Sequence, residues 1–284
     1  MSTRVIIDST TDLPEDFRQE YGICMLPLYV IVDGVEYLDK VTITTNEIYA
    51  RMRAGSLPRT AQVNIVDTQN TLEDFLRAGE DLIYLAFSSK MSGTCQLVAG
   101  IMEELKEVYP ERKMVTLDSR GGCFATGLIA METAKLAKAD LPFEDIVSRS
   151  RFLIDHVEHV FVISDLTWMI RGGRISKTLG YTANLLNIKP VLDVNEGEME
   201  VIHKIRGRRP SLKKVADIVA ERAAKDTPQL IGITHADDLE AAQEMQRMLE
   251  KRLPDCSYCI LEIGAVLGVH LGIGGVGVFF FNEL

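Results

Sequence analysis

In the first half of this chain, short apolar runs alternate with stretches long enough to be amphipathic helices. Residues 5–7, 82–87 and 114–117 are apolar strand candidates, and helix patterns cover residues 66–78, 94–108 and 123–138 between and after them. Strands separated in this way cannot pair through tight hairpins. They need crossover connections, which implies parallel βαβ units of right-handed sense. Local punctuation agrees with that frame. Thr44-Thr45-Asn46-Glu47 is a capping box, Pro14 suits a first helical turn, and Gly55 and Gly79 suit helix ends. Asp33-Gly34 divides residues 28–38 as a type I′ hairpin turn would. Residues 142–156 read as a further helix opened by Pro142.

The second half has a different grain. Residues 160–163 and 230–234 read as strands and 211–224 and 239–253 as helices, while Asn195-Glu196-Gly197 joins a strand pair. Val276-Gly277-Val278-Phe279-Phe280-Phe281 is apolar on both faces and so belongs inside a sheet. The expected fold is α/β in two domains, 1–159 with a mainly parallel sheet and 160–284 with a mixed one. That division suits a chain of 284 residues at roughly 100–200 residues per domain. No low-complexity linker separates the halves, so they are expected to pack together, with a ligand site at their interface. An uninterrupted apolar run of about 18 residues is absent, so no transmembrane helix is expected. The opening Met1-Ser2-Thr3-Arg4-Val5 enters a strand without a signal-peptide core, which predicts a cytoplasmic protein.

Charge narrows the function classes. The net charge is −10, from 41 acidic and 31 basic residues, and nucleic-acid binding rests on cation density. A DNA-binding role for Arg206 to Arg209 is therefore disfavoured. That basic run reads first as a solvated helix start and second as a site for an anion or acidic partner. The five cysteines are scattered and odd in number, as in a reducing compartment. Cys256-Ser257-Tyr258-Cys259 has no second pair to complete a zinc site, and its cysteines read as structural.

Candidate chemistry gathers at strand ends. Asp8-Ser9-Thr10-Thr11-Asp12, Arg59-Thr60-Ala61-Gln62, Ser88 to Thr94 and Asp118-Ser119-Arg120-Gly121-Gly122 all carry hydroxyl or amide groups suited to an anionic head group. Each loop could equally do no more than cap a helix. Phosphate-loop and dinucleotide motifs are missing, since Gly272-Ile273-Gly274-Gly275-Val276-Gly277 lies outside a βαβ start, and Ser92-Gly93 lacks a nucleophile elbow. Of the histidines, His156 and His159 read as an exposed helix end. His270 stands between an apolar run and a glycine turn, either as a satisfied core residue or as a donor to an oxyanion. Arg171-Gly172-Gly173-Arg174-Ile175-Ser176 is open in the same way: a capped helix end, or a guanidinium clamp for carboxylate or phosphate.

Taken in order, these pieces resemble the DegV family over nearly the full chain. The matching segments are Ile7-Asp8-Ser9-Thr10-Thr11-Asp12-Leu13, Pro58-Arg59-Thr60-Ala61-Gln62, Ser92-Gly93-Thr94 and Leu117-Asp118-Ser119. They continue with Arg171-Gly172-Gly173-Arg174-Ile175, Leu185-Leu186-Asn187-Ile188-Lys189-Pro190, Lys204-Ile205-Arg206 and Gly268-Val269-His270. The resemblance implies a non-catalytic protein that buries a long-chain fatty acid and needs no cofactor. Its partner would be an ATP-dependent fatty acid kinase subunit related to dihydroxyacetone kinase, which converts the carboxylate to an acyl phosphate.

Carried over from that family, Thr60, Ser92 and His270 bind the carboxylate, and Arg174 and Arg206 serve kinase docking and phosphoryl transfer. On this view the double-glycine turn serves the partner more than the lipid. The chain departs from the family at two turns, with Ala61-Gln62-Val63 for Ser-Gln-Pro and His270-Leu271-Gly272 for a His-Gly-Pro-like turn. Burying an acyl chain gains about 0.8 kcal/mol per methylene before association costs, so the ligand class is energetically reasonable. The competing expectation is an enzyme that uses Arg174, Arg206 and His270 on a small phosphorylated or carboxylated substrate.

Overall fold

A computed structural model describes residues 2–164, 166–175, 187–224 and 227–284. Ser176, Leu185 and Leu186, which belong to two of the motifs above, lie outside the described residues. The chain begins β1 (Thr3–Asp8), α1 (Glu15–Glu20), β2 (Cys24–Leu26), β3 (Tyr29–Val32), β4 (Val35–Leu38) and α2 (Thr45–Arg53). It continues β5 (Arg59–Ala61), α3 (Ile65–Arg77), β6 (Asp81–Ala86), α4 (Thr94–Val108), β7 (Met114–Asp118), α5 (Cys123–Lys138) and α6 (Phe143–His156). Then follow β8 (Val157–Val162), α7 (Thr167–Gly172), β9 (Ile188–Asn195), β10 (Glu198–Arg206) and α8 (Arg208–Arg222). The last elements are β11 (Leu230–His235), α9 (Leu239–Glu250), β12 (Ser257–Glu262), α10 (Ala265–Leu271) and β13 (Val276–Phe281).

Among the described residues the strands form three sheets. The order β2-β1-β6-β7 is parallel throughout, as the crossover pattern requires. A mixed sheet of order β10-β9-β8-β13-β11-β12 holds the second half, and a small antiparallel sheet β4-β3-β5 flanks the first. The fold is thus α/β in two units, one built on a parallel sheet and one on a mixed sheet. Asp33 and Gly34 take φ of 53° and 81° between β3 and β4, the two positive values a type I′ turn needs. Thr44 caps α2 with both halves of the box formed.

Two local expectations change. Residues 59–61 form the strand β5, not a turn, because they add antiparallel to β3 with Thr60 opposite Val30. His159 is not at an exposed helix end: α6 stops at His156, and His159 sits inside β8, 5% exposed and paired opposite Phe279.

The mixed sheet has two working faces. Val160, Val162, Val278 and Phe280 enter one core with α8 and α9, whereas Phe161 and Ile163 turn to the opposite face with Phe279. On that opposite face Gly232 lies against the Phe124 ring of α5, where a β-carbon would collide. The first-half core also recruits a late segment: Ile263, Ala265, Val266, Leu267 and Val269 pack with Ile48 and Tyr49 of α2. This places α10 on the parallel-sheet unit while β13, directly after it, returns to the mixed sheet.

Candidate functional site

Between the two units lies a cavity of about 270 Å³. One water needs only about 10–15 Å³, so the space suits a sizeable ligand. One wall is the inner face of the mixed sheet, with His159, Phe161, Ile163 and Phe279. Opposite it stand Thr10, Phe87, Met91, Ser92 and Cys123, at or beyond the carboxyl ends of the parallel strands. The third side is Thr60 and Gln62 from β5 and its exit, and the fourth is Val266, Leu267 and His270 of α10.

Polar chemistry concentrates at one edge of this largely apolar wall. Thr60 Oγ1 and His270 Nε2 are 2.7 Å apart. Burial, reinforced by Arg174 and then Arg171, lowers the His270 imidazole to about 4, so it is neutral near pH 7 and has one N–H donor and one acceptor. Its Nδ1 is buried and has no hydrogen-bond partner among the described residues. Arg174 also lines the cavity, and its Nε donates to the Met91 carbonyl oxygen across the two units at 3.3 Å.

Ser92 reaches the same cavity, but its hydroxyl is engaged. The Thr94 N–H donates to Ser92 Oγ at 3.2 Å, and the Ser92 hydroxyl donates to Thr94 Oγ1 at 3.0 Å. Ser92 therefore accepts the first N–H of α4, one residue ahead of the N-cap Gly93, while facing the cavity. Thr60, Ser92, His270 and Arg174 are brought together; Arg206 is not. It is exposed at the end of β10, opposite Ile188, and does not line the cavity.

The glycine pair beside Arg174 divides its work. Gly173 takes φ of 73° and caps α7 in the left-handed conformation, as the capped-helix alternative supposed. Gly172 lies against the His270 ring, where a β-carbon would collide with Nδ1. The turn thus sets the position of the His270 ring directly, in addition to presenting arginines.

His270 is also held from below. Asp12, 3% exposed, accepts from Lys40 Nζ at 2.9 Å and from the Gly264 N–H at 3.0 Å, at the entry to α10. Cys123 Sγ donates to the other Asp12 oxygen at 3.0 Å. Burial, then the Asp12 charge, pushes the Cys123 thiol well above its usual range, so this cysteine is not a nucleophile. The Tyr49 hydroxyl donates to the Ile263 carbonyl oxygen at 2.8 Å, and Gly268 lets the Tyr49 ring lie against the helix. Asp8 organises the facing edge, accepting from Tyr84 Oη at 2.9 Å and from the Phe87 N–H at 3.1 Å. The Asp8 to Asp12 loop is therefore mainly scaffold, and only its Thr10 reaches the cavity.

Other sequence candidates take structural positions. Arg208 and Arg209 are in the first turn of α8 and pair with Asp238 at 2.6 Å and Glu244 at 3.0 Å. All five cysteines are free thiols. No group of three His, Cys, Asp or Glu side chains among the described residues is placed to hold a metal ion. No helix among them is long and apolar enough to cross a membrane.

A family model described as an uncharacterised protein of the DegV family matches residues 2–283. The chain belongs to the DegV family. A DegV domain-containing protein of Clostridium perfringens is 34% identical over 282 residues, spanning 98% of this chain and 97% of that protein. A DegV family protein of Thermus thermophilus, described as binding fatty acid, has a similar structure, with TM-score 0.91, 27% identity and 100% of both chains covered. DegV of Bacillus subtilis, described as a fatty acid binding protein, gives TM-score 0.88 at 28% identity over 99% of each chain.

Three features of this DegV-family cavity escaped the sequence. His159 carried no usable phase signal, since apolar residues on both faces of β8 hide which way it points. Gln62, inside a quoted motif, packs against Gly93, where a β-carbon would collide with its amide. The third feature is the bridge from Arg174 to Met91, which joins segments 83 residues apart.

Proposed function

We propose that this DegV-family protein binds a long-chain fatty acid in the inter-unit cavity and presents its carboxylate to a separate ATP-dependent kinase. The observation that carries the proposal is a deep apolar wall ending on the Thr60–His270 pair beside Arg174. A buried carboxylate is costly unless several donors meet it. With His270 neutral, an Nε2–H donating to Thr60 Oγ1 leaves the threonine hydroxyl hydrogen free to reach a ligand oxygen. Arg174 supplies positive charge at the same edge. The fatty acids named for the Thermus and Bacillus relatives support this ligand class.

The kinase step, with a dihydroxyacetone-kinase-related partner, is an inference from the family resemblance and from cations outside the cavity. Exposed Arg206, at the end of β10, is assigned to docking. A carrier role without chemistry of its own suits Ser92, whose hydroxyl is bonded to Thr94 rather than to a general base. Cytoplasmic residence and the 1–159 and 160–284 division remain part of the same proposal.

Lipid mass spectrometry on protein purified under native conditions and then denatured tests it. One fatty acid released per chain is expected. A protein that carries none, and takes up none after incubation with stearate or oleate, would refute the proposal.

A further inference from the structure

The mixed sheet has two edge strands, and they are finished differently. At one edge β10 carries Glu198, Glu200, Lys204 and Arg206, and its register shifts between Val201 and His203. Charges and bulges of this kind keep an edge from pairing with another chain. At the other edge β12 runs Ser257-Tyr258-Cys259-Ile260-Leu261-Glu262, in unbroken register with β11 and without proline, lysine or arginine. Its one charge is Glu262, at the last position. Among the described residues β12 pairs with β11 and with no other strand.

Register shows which backbone groups this edge leaves open. The Ser257 N–H donates to the Gln229 carbonyl oxygen at 3.0 Å, and the Ile263 N–H to that of His235 at 2.8 Å. Backbone direction alternates along a strand, so Ser257, Cys259, Leu261 and Ile263 turn their N–H and C=O groups toward β11. Tyr258, Ile260 and Glu262 turn theirs outward, where they meet no partner among the described residues. The covering layers are centred inward of this rim. In the mixed sheet α5 packs over β8, β11 and β13, and α9 lies more over β11 than over β12. Tyr258 and Ile260 on the α8–α9 face, and Cys259 and Leu261 on the other, are consequently only half-buried.

We infer that β12 is a self-association edge, which pairs antiparallel with β12 of a second copy and joins the two mixed sheets into one. A two-fold axis through Ile260, normal to the sheet, sets the register. Ile260 then faces Ile260 of the second copy and Tyr258 faces its Glu262, in hydrogen-bonded pairs that use the open groups. Cys259 faces Leu261 of the second copy on the other side of the sheet. The axis makes the α8–α9 face of one copy continuous with that of the other, so half-buried apolar side chains meet their like on both faces. The two Glu262 residues stay about 13 Å apart along the strands, and no like charges oppose each other. The edge is thus complementary to itself, and such an isologous contact closes at two copies. The inference is independent of the ligand in the cavity.

Sedimentation velocity on the full-length protein, from about 1 to 100 µM, reads the association directly. A shift from monomer to dimer across that range is expected. Ile260→Pro removes an outward N–H, leaves the ladder to β11 in place, and should weaken the dimer about tenfold or more. Cross-linking in a Cys256→Ser, Cys259→Ser background keeps the test independent of how well the proline variant folds. There Ile260→Cys should give a disulfide-linked dimer on oxidation, because the paired residues have a Cα spacing of about 5.5 Å. Tyr258→Cys in the same background should not. A monomer at every concentration, a dimer unchanged by Ile260→Pro, or failure of the Ile260→Cys chain to cross-link would overturn the inference.

Discussion

Thr60 Oγ1 and His270 Nε2 stand 2.7 Å apart although 210 residues separate them in the chain. One comes from a three-residue edge strand of the first unit, and the other from the last turn of a short helix near the C-terminus. Their meeting depends on α10 docking onto the first unit through Tyr49 and Asp12. The Thr60–His270 end of the cavity is therefore a product of tertiary packing between distant segments.

Thr60→Val keeps the shape of the side chain and removes its hydroxyl. His270 Nε2 is then left without its partner, at a cost of about 1–3 kcal/mol. Fatty-acid affinity should fall about tenfold or more, measured as Kd for stearate by competition with a fluorescent acyl probe. An unchanged Kd would remove Thr60 from the head-group site.

Gly172→Ala should act through His270. The added methyl group collides with Nδ1, so the ring must shift away from Thr60. Affinity should fall by an amount comparable to Thr60→Val, and the double variant should show less than the sum of the two losses, because both act on one hydrogen bond. Additive losses would show that Gly172 acts independently of that pair.

Gly232→Ala is expected to cost stability. Its β-carbon would collide with the Phe124 ring, and overpacking of this kind costs about 1–3 kcal/mol. Urea denaturation should show a lower midpoint with an unchanged slope. A wild-type midpoint would mean that α5 can move off the sheet without cost.

Acid should weaken the fold through His159 and His270. Both are lowered to about 4 in the folded protein by burial, against about 6.5 when unfolded. The unfolded chain binds more protons between these values, so this contribution is complete above pH 6.5 and declines toward pH 4, at up to about 1.4 kcal/mol per pH unit for each group. Asp39 opposes it, because burial, partly countered by Lys40, raises its carboxyl to about 6. Its contribution is complete below about pH 3.8 and is lost as the pH rises through 6. The two signs partly cancel in the whole protein. The clean measurement is therefore the stability difference between wild type and His159→Phe across pH 4–7, which should change by the slope of one group. A constant difference would contradict the buried neutral imidazole.

Arg206→Ala should separate docking from binding. The side chain lies outside the cavity lining, so stearate affinity should stay at the wild-type value while kinase-dependent acyl phosphate formation falls. Loss of stearate binding in this variant would place Arg206 in the lipid site instead.

Much of the fold was legible because its signals are local. The α4 bounds follow from apolar periodicity, and β13 follows from a run apolar on both faces. The Asp33-Gly34 hairpin and the Thr44 capping box are set within four residues each. The elements that build the site lack such signals. β5 spans Arg59–Ala61 and exists only because β3 offers it an edge. α7 and α10 are short, and α10 is apolar on every side because it packs on one unit and faces the cavity with the other. Thr60, Ser92, Arg174 and His270 could be named from the family resemblance. Their convergence, the seat of the His270 ring on Gly172, and the inward direction of His159 are set by packing between segments far apart in sequence.

A crystal structure of the stearate complex tests the central claim most directly. The carboxylate is expected within hydrogen-bond distance of Thr60 Oγ1, beside Arg174, with the tail running past Phe161 toward His159. A carboxylate at the His159 end, or stearate bound outside this cavity, would contradict it.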